Sequence, residues 1–181
     1  MDELIDNPLL CVVDLFTRAE CDELIERANK IGWHKPYTGG NYQRSLIVDE
    51  NLAKILWEKI KHLCPAKIIV NKEKYKPVYV NDHFRFSKYE KGGDFPIHLD
   101  GVNVDSNNNR SMFTLNIFLN DSSSGLLEGG STSFYTNKRK RTQIITPKAG
   151  LGVLFYAKQY HSGDKIIEGY KYLLRTDVMV L

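Results

Sequence analysis

The residues of this chain best placed to do chemistry are His98-Leu99-Asp100 and a distant partner, His161. Residues two apart on a strand point to the same side, so the tripeptide would bring an imidazole and a carboxylate to one point. A second imidazole from a later strand would complete a set of two histidines and one carboxylate. Such a facial set holds Fe(II) and leaves adjacent coordination positions open. A closed tetrahedral site could not admit both a chelating co-substrate and a gas. On spacing alone, ordinary surface or hydrogen-bonded histidines remain the alternative.

Helices come first among the elements that must position these groups. Thr17-Arg18-Ala19-Glu20 is a capping box, a hydroxyl at the N-cap with a carboxylate three residues on. Behind it Leu24, Ile25, Ala28 and Ile31 share one helix face, and Gly32 is a natural stop. A second helix is expected over 51–63, with Leu52, Ile55, Leu56, Ile60 and Leu63 as its stripe and Pro65 beyond its end. Each stripe residue contributes about 1.5–3 kcal/mol when fully buried. Strands are expected over 78–89, 112–119, 131–135, 142–147, 151–156 and 171–180, rich in β-branched and aromatic residues and separated by Gly, Asn, Asp and Ser. Helices followed by strands argue an α+β protein with an antiparallel sheet or barrel.

Parity divides these strands into two faces. Phe113, Leu115, Ile117 and Leu119 look one way, and Thr114 and Asn116 the other. Phe84 and Phe86 oppose Arg85 and Tyr89, and Leu174 and Val178 oppose Lys171 and Arg175. The apolar faces can cover the helices. The polar faces would line a barrel interior, where a charge needs a partner or a ligand.

Composition narrows the class. The 181 residues are read as one domain, 1–181, 42% hydrophobic and 26% charged, which excludes a disordered or collagen-like chain. No apolar run reaches the roughly 18 residues of a membrane helix, so no membrane partner is expected. The acidic start and the absence of a basic leader give no signal peptide, and a cytoplasmic location is expected. Cys11, Cys21 and Cys64 are too few and too scattered for a disulfide framework. A net charge of +3 is too small to imply a nucleic-acid partner by itself, and none is expected.

The stretch from Asn81 through Asp82, His83, Phe84, Arg85, Phe86, Ser87, Lys88, Tyr89, Glu90, Lys91, Gly92, Gly93, Asp94, Phe95, Pro96 and Ile97 to His98-Leu99-Asp100-Gly101 closely resembles a known metal-site segment. It is that of Fe(II)/2-oxoglutarate-dependent dioxygenases of the prolyl 4-hydroxylase type. Further pieces follow in the family's order. Thr114 to Asn120 resembles a strand ending Tyr-Leu-Asn, and Glu128-Gly129-Gly130-Ser131-Thr132-Ser133-Phe134 is similar to the family's Gly-Gly-x-Thr-x-Phe hairpin. Pro147-Lys148-Ala149-Gly150 to Phe155 resembles the strand before the distal histidine, and Lys171 follows His161 at the family's interval. The resemblance covers nearly the whole chain. It implies a double-stranded β-helix (jelly-roll) core with N-terminal helices packed on one sheet. It also implies Fe(II), 2-oxoglutarate and O2, with ascorbate as reductant, and hydroxylation of a C–H bond with release of succinate and CO2. The substrate implied is a protein or peptide side chain, peptidyl proline being the family-level candidate.

Residue by residue, the resemblance matches His98, Asp100 and His161 to the iron ligands. It matches Lys171 to the base that pairs with the distal carboxylate of 2-oxoglutarate. Arg175, four residues on and on the same face, is a second candidate anchor, or else pairs with a barrel carboxylate. Tyr89 matches a tyrosine that hydrogen-bonds the co-substrate, and Thr114 faces it. Phe118 departs from relatives that carry a tyrosine there, which puts more weight on Lys171 and Arg175. Two other classes stay open: a different metal dioxygenase on the same barrel (a nucleic-acid demethylase or a cupin type), and a non-catalytic jelly-roll binding module. Against the demethylase, no second arginine follows Arg175 before Leu181.

Several residues carry weaker signals. Lys138-Arg139-Lys140-Arg141 reads as a solvated hairpin tip or a contact for an acidic partner. Arg44 and Arg85 reach the site mouth or are structural. His34, His62 and His83 are expected to be non-ligands, and Trp33 and Trp57 to be packing residues. The glycine pairs 39–40, 92–93 and 129–130 read as turns. Loops 36–44, 101–111 and 136–141 are expected to decide the substrate.

Overall fold

A computed structural model describes residues 10–36, 41–70, 72–125 and 127–181. The capping box forms as its sequence dictates: the Thr17 hydroxyl accepts from the Glu20 N–H, and the Glu20 carboxylate accepts from the Thr17 N–H at 2.7 Å. It opens α1 (Arg18–Ile31), which stops at Gly32. Asp49 caps α2 (Glu50–Ile60), after which residues 61–63 tighten into a 3-10 turn rather than continuing the helix. Ile31 and Ile55, expected in the buried stripes, are each 51% exposed. The buried stripe of α2 is instead Leu52, Ala53, Leu56 and Ile60, so Ile55 falls on its flank.

The strands are β1 (Leu10–Asp14), β2 (Tyr42–Val48), β3 (Ile68–Val70), β4 (Glu73–Tyr75), β5 (Pro77–Val80), β6 (His83–Glu90), β7 (Phe95–His98), β8 (Arg110–Phe118), β9 (Leu127–Gly129), β10 (Thr132–Tyr135), β11 (Arg141–Ile145), β12 (Leu151–Tyr156), β13 (His161–Gly163) and β14 (Ile166–Val180). A major sheet runs β1-β12-β8-β14-β6-β2, with β5 and β9 also on β14. A minor sheet runs β11-β10-β13-β7, and β3 and β4 form a separate hairpin. This is the jelly-roll arrangement of two antiparallel sheets. The segment expected as one strand over 78–89 is two. Asn81 breaks it by accepting the His83 N–H on its side-chain oxygen, a local turn that competes with the ladder.

The parity reading carries through to packing. Phe84, Phe86, Phe113, Leu115, Ile117, Leu174 and Val178 share one core with Leu24 and Ala28 of α1 and with the α2 stripe. A second core, Tyr42, Tyr89, Phe118, Phe134, Ile145, Val153, Phe155 and Leu173, joins residues of the two sheets. Trp33 and Trp57 pack at the edge of the first core. All three cysteines are free, and burial pushes the Cys21 and Cys64 thiols up to about 11. Among the described residues no helix is long and apolar enough to cross a membrane. Of the glycine pairs, 39–40 lies outside the described residues, while Gly92, Gly129 and Gly130 have the positive φ expected of turns.

Candidate active site

His98 closes β7 and His161 opens β13, and the minor sheet pairs them directly across the ladder. Their rings lie 4.2 Å apart between centroids. Each Nδ1 sits against a backbone carbonyl two residues earlier: Pro96 at 2.8 Å for His98 and Gln159 at 2.9 Å for His161. Those carbonyls fix Nδ1 as the donor and leave each Nε2 lone pair free to coordinate. The Nε2 atoms lie 3.5 and 3.6 Å from the two oxygens of Asp100. One ligand atom from each of the three residues falls within 4.8 Å of the others, a grouping that could hold a metal ion. His34 and His83 stand apart from it, His34 in a backbone bridge with Arg44 and His83 against Asp82.

Asp100 reaches this point by a different route from the one its spacing suggests. It lies beyond the end of β7, so strand alternation does not aim it. Its N–H donates to the Ala157 carbonyl at 2.9 Å. Its buried carboxylate accepts from the Thr114 hydroxyl at 2.6 Å and pairs with Arg175 Nη1 at 2.6 Å. Thr114, expected to face the co-substrate, therefore spends its hydroxyl on Asp100. Arg175 also stands 3.7 Å from Asp177, so it lies between two barrel carboxylates.

Lys171 is different. It is buried on β14, with its Nζ donating to the Gly130 carbonyl at 2.5 Å and no carboxylate within ion-pair distance among the described residues. The rings of Phe118 and Tyr89 lie 5.1 and 5.7 Å from that nitrogen. Gly130 is required here: its φ is +73°, and a Cβ would sit 2.6 Å from Ile166 Cδ1 and 3.1 Å from Lys171 Cδ.

Residues 84–176, just over half of the chain, match the 2OG-Fe(II) oxygenase superfamily. The chain belongs to that superfamily. It is thus a 2-oxoglutarate-dependent oxygenase, and its fold is that of the prolyl 4-hydroxylase type. Similar solved structures include a viral collagen prolyl hydroxylase from Paramecium Bursaria Chlorella virus-1 in its 2-oxoglutarate complex. It has a TM-score of 0.67 at 19% identity, with 97% of this chain and 98% of that one covered. A Pseudomonas putida prolyl-4-hydroxylase aligns with a TM-score of 0.65 at 17% identity, covering 96% and 94%. A Trichoplax adhaerens prolyl hydroxylase, in complex with a hypoxia inducible factor peptide fragment, aligns with a TM-score of 0.68 at 16% identity, covering 96% and 84%. At these identities the likeness is one of fold. A search of curated proteins gave no match.

Electrostatics in this oxygenase follow from burial set against neighbours. Burial works against ionisation of Asp100, but the His98 ring, the Arg175 and His161 neighbours and the Thr114 hydroxyl outweigh it and hold the carboxyl well below its usual range. Burial lowers His161 to about 4, so its imidazole is neutral and available as a ligand at pH 7. Burial likewise lowers Lys171 to about 8, and Asp164 opposes that shift. The Tyr89 phenol is pushed up to about 12, again by burial, and so remains a proton donor.

One cavity adjoins these groups, and a second lies against Arg85 and Asp177. The one at the histidines is small, about 50 Å³, and is lined by His98, His161, Tyr89, Lys171, Arg175 and Arg44 among others. The other, about 850 Å³, lies beyond it between α2, β5 and the segment 103–107, with Arg85 and Asp177 in its wall. Arg85 pairs with Asp177 at 2.5 Å, whereas Arg44 sits in the cavity of the histidines. Lys138, Arg139 and Lys140 are exposed on the β10–β11 turn and Arg141 is exposed at the start of β11, as a solvated tip would be. Sequence reasoning missed Asp177, Tyr42 and the strand that carries Arg44. Asp177 shares the parity of Arg175 on one strand, a signal that was available.

Proposed function

We propose that this oxygenase hydroxylates a C–H bond of a protein or peptide side chain, with a prolyl residue the first candidate, converting 2-oxoglutarate to succinate and CO2. The whole segment 1–181 would act as one domain. The observation that carries the reading is the pair of imidazoles whose Nδ1 atoms are tied to backbone carbonyls while both Nε2 atoms face the Asp100 carboxylate. Two imidazole nitrogens and one carboxylate oxygen, all converging from one side, fit a ferrous ion with positions left over. His98, Asp100 and His161 would hold it. Fe(II), once bound with 2-oxoglutarate and O2, supplies the oxidising chemistry, with ascorbate as reductant.

The remaining residues bind and orient. Lys171 would take the far carboxylate of 2-oxoglutarate, moving its ammonium from the Gly130 carbonyl to a charged acceptor, which is the stronger hydrogen bond. Tyr89 would donate its hydroxyl beside it. Thr114 and Arg175 act one step back by orienting Asp100. The rings of Phe118, Phe134 and Phe155 keep the inner wall dry. A peptide substrate is supported by the Trichoplax neighbour, which is in complex with a peptide fragment. The test is mass spectrometry of proline-containing peptides after incubation with Fe(II), ascorbate and 2-oxoglutarate. Expected is a mass gain of one oxygen atom together with succinate. Succinate without any modified peptide, across peptides with and without proline, would remove the peptide from the reading.

A further inference from the structure

The inner face of the major sheet carries more positive charge than the reaction above uses. Leu46 of β2 stands opposite Arg85 of β6, and Arg85 stands opposite Arg175 of β14. Arg44, two residues before Leu46, is on the same face. Three guanidiniums therefore occupy adjacent strands. In each of them the Nε is buried and has no hydrogen-bond partner. Among the described residues, Arg85 shares Asp177, Arg175 holds Asp100 and Asp177, and Arg44 has no carboxylate within ion-pair distance. The Arg44 guanidinium lies over the Tyr42 ring, 5.2 Å from its centroid, and acts electrostatically on the Tyr89 phenol. The acids further out are already engaged: Glu50 with Lys54, Asp82 with His83, and Asp105 with Tyr79 and Asn109.

If Asp100 serves a metal and Lys171 serves 2-oxoglutarate, Arg85 and Arg175 are left sharing Asp177, and Arg44 still faces no carboxylate among the described residues. Arg44 is half-buried with its Nε enclosed, and an enclosed guanidinium nitrogen without an acceptor carries a desolvation cost that an anion would offset. Arg44 lines the same cavity as His98 and His161, so an anion held by it would share the space in front of those histidines. The planar fork of an arginine suits a carboxylate. We propose that Arg44 binds a carboxylate of the primary substrate, so that the substrates are peptides with an aspartate or glutamate close to the oxidised residue. This rests on the reading of His98, Asp100, His161 and Lys171 given above.

The test uses the full chain loaded with Mn(II) and 2-oxoglutarate, whose binding is measured first by calorimetry. The loaded protein, immobilised, then selects from a random heptapeptide library at physiological salt, and the bound fraction is sequenced by mass spectrometry. Expected is enrichment of Asp and Glu by about tenfold over Asn and Gln, the scale of one charge-assisted hydrogen bond. Arg44→Gln should abolish that enrichment, and Arg44→Lys should keep part of it, with thermal unfolding confirming that both variants fold. Failure of Mn(II) or 2-oxoglutarate to bind the wild type would defeat the underlying reading instead. With both bound, equal selection of acidic and neutral peptides, or enrichment that survives Arg44→Gln, overturns the proposal. So does a loss of 2-oxoglutarate affinity in Arg44→Gln with peptide selection intact, since Arg44 would then serve the co-substrate. Binding of free glutamate without peptide enrichment would also overturn it, in favour of a small acid.

Discussion

The outer and inner faces of the major sheet are built by the same strands and obey different rules. On β6, β8 and β14 the outer residues Phe86, Leu115 and Leu174 are fully buried hydrocarbon against the helices. One position along each strand, the inner residues are Arg85, Thr114 and Arg175, whose polar atoms meet across the sheet or at Asp100. Hydrocarbon burial is non-directional and favourable with or without a ligand. Buried cations and carboxylates are favourable only when matched, so the inner face trades stability for a defined set of partners. Folding should depend on the outer face and binding on the inner one.

The sharpest way to break this contrast is at Phe113, fully packed in the outer core between β8 and the helices. Phe113→Ala should lower the unfolding free energy by about 3–5 kcal/mol. Denaturant titration reads that loss, and the folded fraction should still bind 2-oxoglutarate with wild-type affinity. On the inner face the signs reverse. Lys171→Met, which keeps the volume of the side chain, should weaken 2-oxoglutarate binding by about 2–5 kcal/mol, from the stranded carboxylate, while leaving the unfolding midpoint unchanged or higher. Lower stability with unchanged affinity would contradict the division at that residue.

Smaller effects sharpen the picture. Thr114→Val removes the donor to Asp100 without changing the shape of the side chain, and should cost about 1–3 kcal/mol of Mn(II) affinity. Should it instead raise the 2-oxoglutarate dissociation constant alone, Thr114 would face the co-substrate after all. The pH dependence follows from Lys171, whose pKa burial lowers to about 8. Its ammonium is present below that pH and lost above it, so the dissociation constant for 2-oxoglutarate should rise above about pH 8, by up to about tenfold per pH unit. In the empty protein the sign is opposite for stability. The buried charge is a full cost below the lowered pKa, and the cost is relieved as pH rises from there toward the ordinary value of 10.5. A flat alkaline binding profile would show that the far carboxylate is held by a group that stays charged, such as Arg175.

Much of this was legible in the sequence, for local reasons. The capping box, the parity of β8 and β14 and the order of His98, Asp100 and His161 depend on near neighbours or on motifs. The strand β2 was not legible, because Gln43, Arg44 and Ser45 interrupt its apolar pattern and it follows a glycine pair. Parity also could not separate Lys171 from Arg175, since both share one face. Their difference comes from register: Arg175 lies opposite Asn116 and within reach of Asp100, whereas Lys171 lies opposite Tyr89, against the Gly130 turn. The same long-range pairing sets Asp177 opposite Thr114. The route by which Asp100 is aimed, through Ala157, Thr114 and Arg175, likewise joins segments far apart in the chain and leaves no trace in its own tripeptide.

The central claim is that His98, Asp100 and His161 form one metal centre. Titrating the purified chain with Mn(II) under calorimetry, beside Asp100→Ala and His161→Ala, addresses it without needing a substrate. The account predicts one ion bound per wild-type chain and no stoichiometric binding by either folded variant. A wild-type protein that takes up no ion, or variants that bind it as well as the wild type, would contradict it.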